Sequence, residues 1–307
     1  MNLLTVGSVA FDEIETPFGR SGRIVGGAGL YIALSAAYHT QPVQLVSVVG
    51  EDFPADVLEE LQRRGIDIAG VQRKAGRKTF YWKGRYHEDL NTRDSLVTEL
   101  NVLGDFEPYL PDHFRRPDYL MLGNLSPQVQ LSVIEQIPQR PRMVALDTMN
   151  FWIDNTPNEL REVISKIDLL IINDEEARML GRTPSLVKAA QAIHEMGPEY
   201  VIIKKGEHGA LLFGDGEVFV APGLPLEEVF DPTGAGDSFA GGLIGYIART
   251  DDTSFDNLKR AVIVGSVMAS FCIEKFGPQR LLELAPEDIL RRQEVFKKLS
   301  HFDIIYH

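Results

Sequence analysis

Cysteine is almost missing from this 307-residue chain. The lone Cys272 excludes an internal disulfide and any structural zinc site built on several thiolates. The seven histidines, at 39, 87, 113, 194, 208, 301 and 307, are scattered and form no close metal-type pair. Long apolar runs are absent too. The most apolar stretch, 261–273, is too short and too interrupted to span a bilayer. The opening residues, MNLLTVGSVAFDEI, carry no basic region and meet acids early, so no signal peptide is expected. No G-K-[ST] sequence occurs, which disfavours a P-loop nucleotidase. Positive charge is scarce: 31 Lys and Arg stand against 44 Asp and Glu, a formal net charge of −13. That deficit argues against nucleic acid and anionic membranes as partners, while leaving room for a small anion held locally. The expected setting is a reducing cytoplasm.

What is present is an ordinary globular composition, 44% hydrophobic and 24% charged. Short apolar runs recur at 3–9, 43–49, 119–123, 143–147, 168–173 and 200–204. Segments with helical spacing lie between most of them. Continuous apolar strands alternating with helices predict an α/β fold with a mostly parallel sheet covered on both faces. Residues 1–307 are expected to form one domain. Two polar segments, 12–25 and 78–99, break the rhythm and read as antiparallel excursions, either plain surface hairpins or a small flap over a cleft. Residues 199–221 read as three strands joined by tight turns, and 235–249, 256–273 and 286–299 as helices.

The sharpest motif is Asp231-Pro232-Thr233-Gly234-Ala235-Gly236-Asp237-Ser238-Phe239-Ala240-Gly241-Gly242. Pro232, Gly234 and Gly236 disfavour a helix in its front half, whereas the back half is small and apolar. A Gly-rich loop therefore feeds a helix N-terminus. Free amides of Gly234, Ala235 and Gly236 then converge with the helix dipole behind them, an arrangement that holds anions. Asp237 in the first turn would repel a resting phosphate. It makes sense as a base beside a phosphoryl acceptor, or as a plain helix cap.

DPTGAGDSFAGG resembles the C-terminal signature of the ribokinase-like (PfkB) sugar kinase family. The resemblance implies a three-layer α/β/α sandwich with a small β lid formed by 12–25 and 78–99. It implies ATP-dependent transfer of the γ-phosphoryl group to a hydroxyl, with Asp237 as catalytic base and Gly234, Ala235 and Gly236 as the anion hole. Other pieces fall in the family's order. Gly7-Ser8-Val9-Ala10-Phe11-Asp12 is similar to the strand end whose Asp binds substrate hydroxyls, placing Asp12 there. Gly26 and Gly27 match the di-glycine along which a sugar lies. Tyr31 stands where the family pattern has an Asn facing substrate, and Ala10 also replaces an Asn. Asn173 and Glu176 match an N-x-x-E motif, with Glu176 serving magnesium through water. Lys204, Gly206 and Gly209 match a K-x-G-x-x-G turn lining the nucleotide, with Lys205 a rival for the lysine role. Gly265 and Ala269 resemble the adenine-side helix, and Thr233 the nucleotide loop. Asp231 and Thr233 are candidates for potassium. Asp147 and Asn150 are plausible supporting residues, but Trp152 stands near the usual Arg, which disfavours a phosphorylated sugar. Arg85, Trp82 and Tyr86 of the lid are candidates to reach substrate, or else structural. A homodimer through the lid is a further implication.

Two other classes are weighed. A nicotinamide oxidoreductase needs G-x-G-x-x-G after a strand, and Ile32 stands where the last glycine belongs. A non-catalytic sensor on the same fold has no use for Asp237. The expected substrate is a sugar, then a nucleoside.

Overall fold

The computed structural model describes residues 1–301. In chain order the strands are β1 Leu3–Val6, β2 Ala10–Thr16, β3 Gly19–Gly26, β4 Val43–Gly50, β5 Ile66–Lys74, β6 Tyr81–Tyr86, β7 Arg93–Glu99, β8 Tyr119–Leu122, β9 Met143–Asp147, β10 Leu169–Asn173, β11 Tyr200–Lys204, β12 Ala210–Gly214 and β13 Glu217–Ala221. The helices are α1 Ala28–Ala37, α2 Ala55–Arg63, α3 Pro127–Glu135, α4 Asn150–Asn155, α5 Pro157–Ile164, α6 Asp174–Gly181, α7 Leu186–His194, α8 Ala235–Thr250, α9 Phe255–Cys272, α10 Gln279–Glu283 and α11 Pro286–Ser300.

Nine strands form one sheet in the order β13-β12-β11-β10-β9-β8-β1-β4-β5. β5 through β11 pair in parallel, and β12 and β13 add an antiparallel edge. The inner strands are apolar on both faces because both are covered. Leu3, Leu169 and Ile202 join one buried cluster with residues of α1, α8 and α9. Leu4, Leu170 and Val201 join the other with residues of α3, α5 and α7. The expected three-layer sandwich is the result.

β1 is the turning point of this sheet, since the chain crosses from it first towards β4 and later towards β8. Ligands of such sheets sit beyond the carboxyl ends of the strands near that reversal. Asp147, Asn173 and Lys204 are the last residues of β9, β10 and β11, so three neighbouring strands deliver them to one edge.

The two polar excursions do not stay separate. They merge into one four-stranded sheet, β3-β2-β6-β7. β2–β3 and β6–β7 are antiparallel, as expected of hairpins, while β2 and β6 join them in parallel. That long-range pairing turns two hairpins into a lid. Side chains in register share a face. Glu13, Glu15, Tyr81, Lys83 and Arg85 lie on one face, knit by Lys83–Glu13 at 2.7 Å and Arg85–Glu15 at 3.0 Å. Asp12, Ile14, Trp82 and Tyr86 lie on the other, which looks toward the sheet edge.

Candidate active site

The loop before α8 makes the sharp turn that its glycines imply. Gly234 caps the helix in the left-handed region, φ 79° and ψ −1°. A Cβ there would meet the Tyr31 ring at 2.6 Å, so neither the conformation nor the space admits a side chain. Behind it the helix is buried from Ser238 through Gly245. Among the described residues, the N–H groups of Gly234, Gly236 and Asp237 have no main-chain acceptor. The Ala235 N–H does have one, the Pro232 carbonyl at 3.2 Å. The expected anion hole is thus corrected. Ala235 is spent on closing the turn, and Asp237 contributes its amide instead.

Charged groups converge on this loop. The Lys204 ammonium lies 3.2 Å from Asp147 Oδ1, and a Cβ on Gly236 would lie 2.9 Å from it. Lys204 is therefore the lysine of the turn, and Lys205 points elsewhere. Burial opposes charge on Lys204, yet Asp147, Glu176 and Asp237 together hold its pKa above the ordinary value. Burial, followed by the charge of Asp147, pushes the Asp237 carboxyl up to about 7, against the pull of Lys204 and Arg93. Glu176 is likewise raised to about 7 by burial and by Asp147. A base with a pKa near neutrality is suited to proton abstraction at physiological pH.

Glu176 is positioned by its own helix start. Asn173 Oδ1 accepts from the Glu176 N–H, and Glu176 Oε2 accepts from the Asn173 N–H, both at 2.8 Å. Asn173 thus acts as a cap that orients Glu176, whose other oxygen is uncommitted. Glu176 and Asp147, both buried, form a donor set that suits magnesium. No larger cluster of metal-type ligands occurs among the described residues, and magnesium needs few because it keeps most of its waters.

Asp12 sits under the lid. Its Oδ2 fills the space beside Gly26, where a Cβ would come within 1.9 Å, and the Gly27 amide donates to it. Burial, then the charge of Asp231, lifts its pKa to about 7. Trp82 is its neighbour in register on β6.

Several expected site residues lie elsewhere. Tyr31 is 1% exposed, its ring under Gly234 and its hydroxyl without a partner. It forms the floor of the loop and offers no face to a substrate. Arg85 lies on the outer lid face, held by Glu15. Gly265 lies where α9 crosses α8, since a Cβ would strike the Phe239 carbonyl at 2.7 Å. Ala269 is half-buried on the same helix, and its carbonyl accepts from Ile273. Gly209 packs against the Ala221 carbonyl, while Gly206 makes room for Asn91. Asp231 accepts from the Thr233 and Gly277 amides at 2.8 and 2.9 Å, and the Thr233 hydroxyl donates to Tyr86 at 3.1 Å. These two brace the loop against the lid, and a potassium ion would compete for oxygens already in use.

Sequence reasoning missed two lid residues. Asn91 donates to Glu207 Oε2 at 2.9 Å, tying the lid tip to the β11–β12 turn. Arg93 pairs in register with Tyr86, on the inward face. No local motif marks either; only the β6–β7 register assigns Arg93 its face.

Residues 8–284 match the pfkB family carbohydrate kinase description. The cytidine kinase of Thermococcus kodakarensis is 31% identical over 283 residues, covering 90% of this chain and 98% of that protein. The ribokinase of Haemophilus influenzae is 32% identical over 325 residues, covering 97% and 98%. Among solved structures, the nucleoside kinase of Methanocaldococcus jannaschii superposes with a TM-score of 0.74 at 19% identity, covering 96% of this chain and 98% of that one. A putative ribokinase II from E. coli in complex with ATP and Mg2+ gives 0.78 at 18%, covering 97% and 99%. With a match this long laid over the Gly-rich loop, the acid that follows it and the β lid, the chain belongs to the pfkB family of carbohydrate kinases.

Proposed function

We propose that the protein transfers the γ-phosphoryl group of ATP to a hydroxymethyl hydroxyl of a ribofuranosyl compound, with a nucleoside as the preferred acceptor. The observation that carries the reading is the turn at Gly234–Asp237. Three unpaired amides, the Lys204 ammonium and a carboxyl with a pKa of about 7 converge there at the mouth of a buried helix.

Asp237 takes the acceptor's proton as the oxygen attacks phosphorus. The Gly234, Gly236 and Asp237 amides and Lys204 meet the charge that spreads over the equatorial oxygens. Asp12 accepts hydrogen bonds from a pair of ribose hydroxyls. Asp147 and Glu176 would hold magnesium, largely through water, and the bound ion would neutralise charge on the phosphates. The lid excludes water, the competing acceptor.

Support for a nucleoside comes from Trp82, an aromatic beside Asp12 on the inner lid face, and from the relatives named cytidine kinase and nucleoside kinase. A free sugar is the second reading, favoured by the ribokinase relative. Release of ADP with pyrimidine and purine nucleosides, ribose and hexoses separates the two. Turnover that Asp237→Asn abolishes supports the kinase; tight ligand binding with no turnover in the unaltered protein refutes it.

Two smaller parts of the reading complete it. Strand β7 is exposed along its whole length at the lid edge, which supports pairing with a second copy and is tested by light scattering on the eluting protein. A cytoplasmic setting supplies ATP and suits a free thiol at Cys272. No helix among the described residues is long and apolar enough to cross a membrane.

A further inference from the structure

The lid carries four arginines, Arg20, Arg23, Arg85 and Arg93. The first three are neutralised on the spot, by Glu15, Asp52 and Glu15 respectively. Among the described residues, the Arg93 guanidinium has no hydrogen-bonding or ion-pairing partner, although its neighbour Asp94 is paired with His87. The direction of Arg93 is fixed by its register with Tyr86, whose hydroxyl contacts Thr233 of the phosphate loop. Two residues earlier, Asn91 reaches Glu207 on the far side of the cleft. Arg93 therefore lies between two contacts that fasten the lid across the site.

The cleft itself is short of positive charge. Asp147, Glu176 and Asp237 face a single ammonium, that of Lys204. ATP would bring several more negative charges to this spot. The positive charge of Arg93 acts on Asp237, on the acceptor side, and on Asp147 and Glu176, on the metal side. It does not figure among the groups acting on Asp12. A cation with that distribution is centred on the space between base and metal ligands, where the migrating group must pass.

We propose that Arg93 is a catalytic residue of the closed lid: its guanidinium contacts the phosphoryl group while that group moves from ATP to the acceptor. In this step the acceptor oxygen forms a bond to phosphorus, the bond from phosphorus to the β-phosphate oxygen breaks, and ADP departs with that electron pair. Asp237 receives the acceptor's proton. Arg93 exchanges no proton; it offers planar N–H donors to oxygens whose charge is in motion. Because it arrives with the lid, the last positive contact is made only when the acceptor is enclosed.

This inference rests on the kinase reading, and its test separates the two. Initial rates are measured on the full chain with ATP and the acceptor best used by the unaltered protein, for Arg93→Ala and Arg93→Lys. The expected result for Arg93→Ala is a fall in kcat of at least ~100-fold, the scale of losing one transition-state donor, with KM for the acceptor little changed. Arg93→Lys should recover part of the rate, and millimolar guanidinium should rescue Arg93→Ala but not Arg93→Lys. Arg93 is exposed, so matching thermal melts are expected for both variants. Unchanged kcat in Arg93→Ala would overturn the proposal. So would a loss confined to acceptor KM, or a fall in kcat that guanidinium leaves untouched. If the unaltered protein phosphorylates no acceptor, the kinase reading itself fails.

Discussion

Replacing Asp12 by asparagine should make the protein more stable, and the gain should depend on pH. The carboxyl is 4% exposed, and burial followed by the charge of Asp231 raises its pKa from 3.8 to about 7. The folded protein therefore binds a proton that the unfolded chain gives up. That preference supports the fold fully below about pH 4 and is lost as pH climbs towards 7. A shift of about 3 units corresponds to about 4 kcal/mol as a ceiling at pH 8, and to less than half of that at about pH 5. Asparagine keeps an oxygen for the Gly27 amide and never ionises. In a chain of this size about 1 kcal/mol moves the melting point by roughly 2 °C. Asp12→Asn should then melt up to ~8 °C above the parent at pH 8 and about 3 °C above it at pH 5. Differential scanning fluorimetry across that range is the assay. A difference that does not grow with pH, or a variant that melts lower at pH 8, would refute the picture of Asp12 as an acid held against its own solvation. The same variant should bind acceptor poorly, because a carboxylate is the stronger partner for a pair of hydroxyls.

Asp237→Asn should lower kcat by ~100-fold or more, the usual worth of a general base, while ATP binding followed by calorimetry persists. In the unaltered enzyme kcat/KM should rise with pH and level off above about 7, since Asp237 must be ionised to work; a flat profile between about pH 5.5 and 8 would contradict its raised pKa. Tyr31→Phe removes a buried hydroxyl that has no partner, so it should be neutral or stabilising by about 1 kcal/mol with acceptor KM unchanged, whereas Tyr31→Ala should cost about 3–5 kcal/mol. Asn91→Ala cuts the lid tie, and ATP hydrolysis without acceptor should rise by a few-fold, read as phosphate release.

The elements that carry the chemistry were legible where a local rule writes them. Gly234 and Gly236 announce a turn, the small apolar run after Asp237 announces a buried helix, and strand-terminal Asp147, Asn173 and Lys204 fall at the end of apolar runs. The choice of Lys204 over Lys205 needed the strand itself: Lys204 is the final residue of β11 and keeps to the sheet edge. Misplacements arose where distance in sequence decides. Arg85 and Arg93 are both lid cations, and only the parallel β2–β6 pairing and the bulge in β6–β7 tell which one faces inward. Tyr31 was misread because nothing local says that α8 descends onto α1. Ala235 could not be separated from its neighbours, because whether an amide is spent inside a turn depends on the dihedral angles of Gly234.

The tyrosine beneath the phosphate loop has a consequence for how the enzyme can vary. With the ring wedged under Gly234 and Ser35 hydrogen-bonded to the Ser238 carbonyl at 2.6 Å, α1 and α8 are welded into a single anvil. An anvil of that kind tolerates little retooling, because each neighbour of the ring would have to shift with it. Diversity of acceptors then has to be written in the hammer, on the inward side chains of the four lid strands.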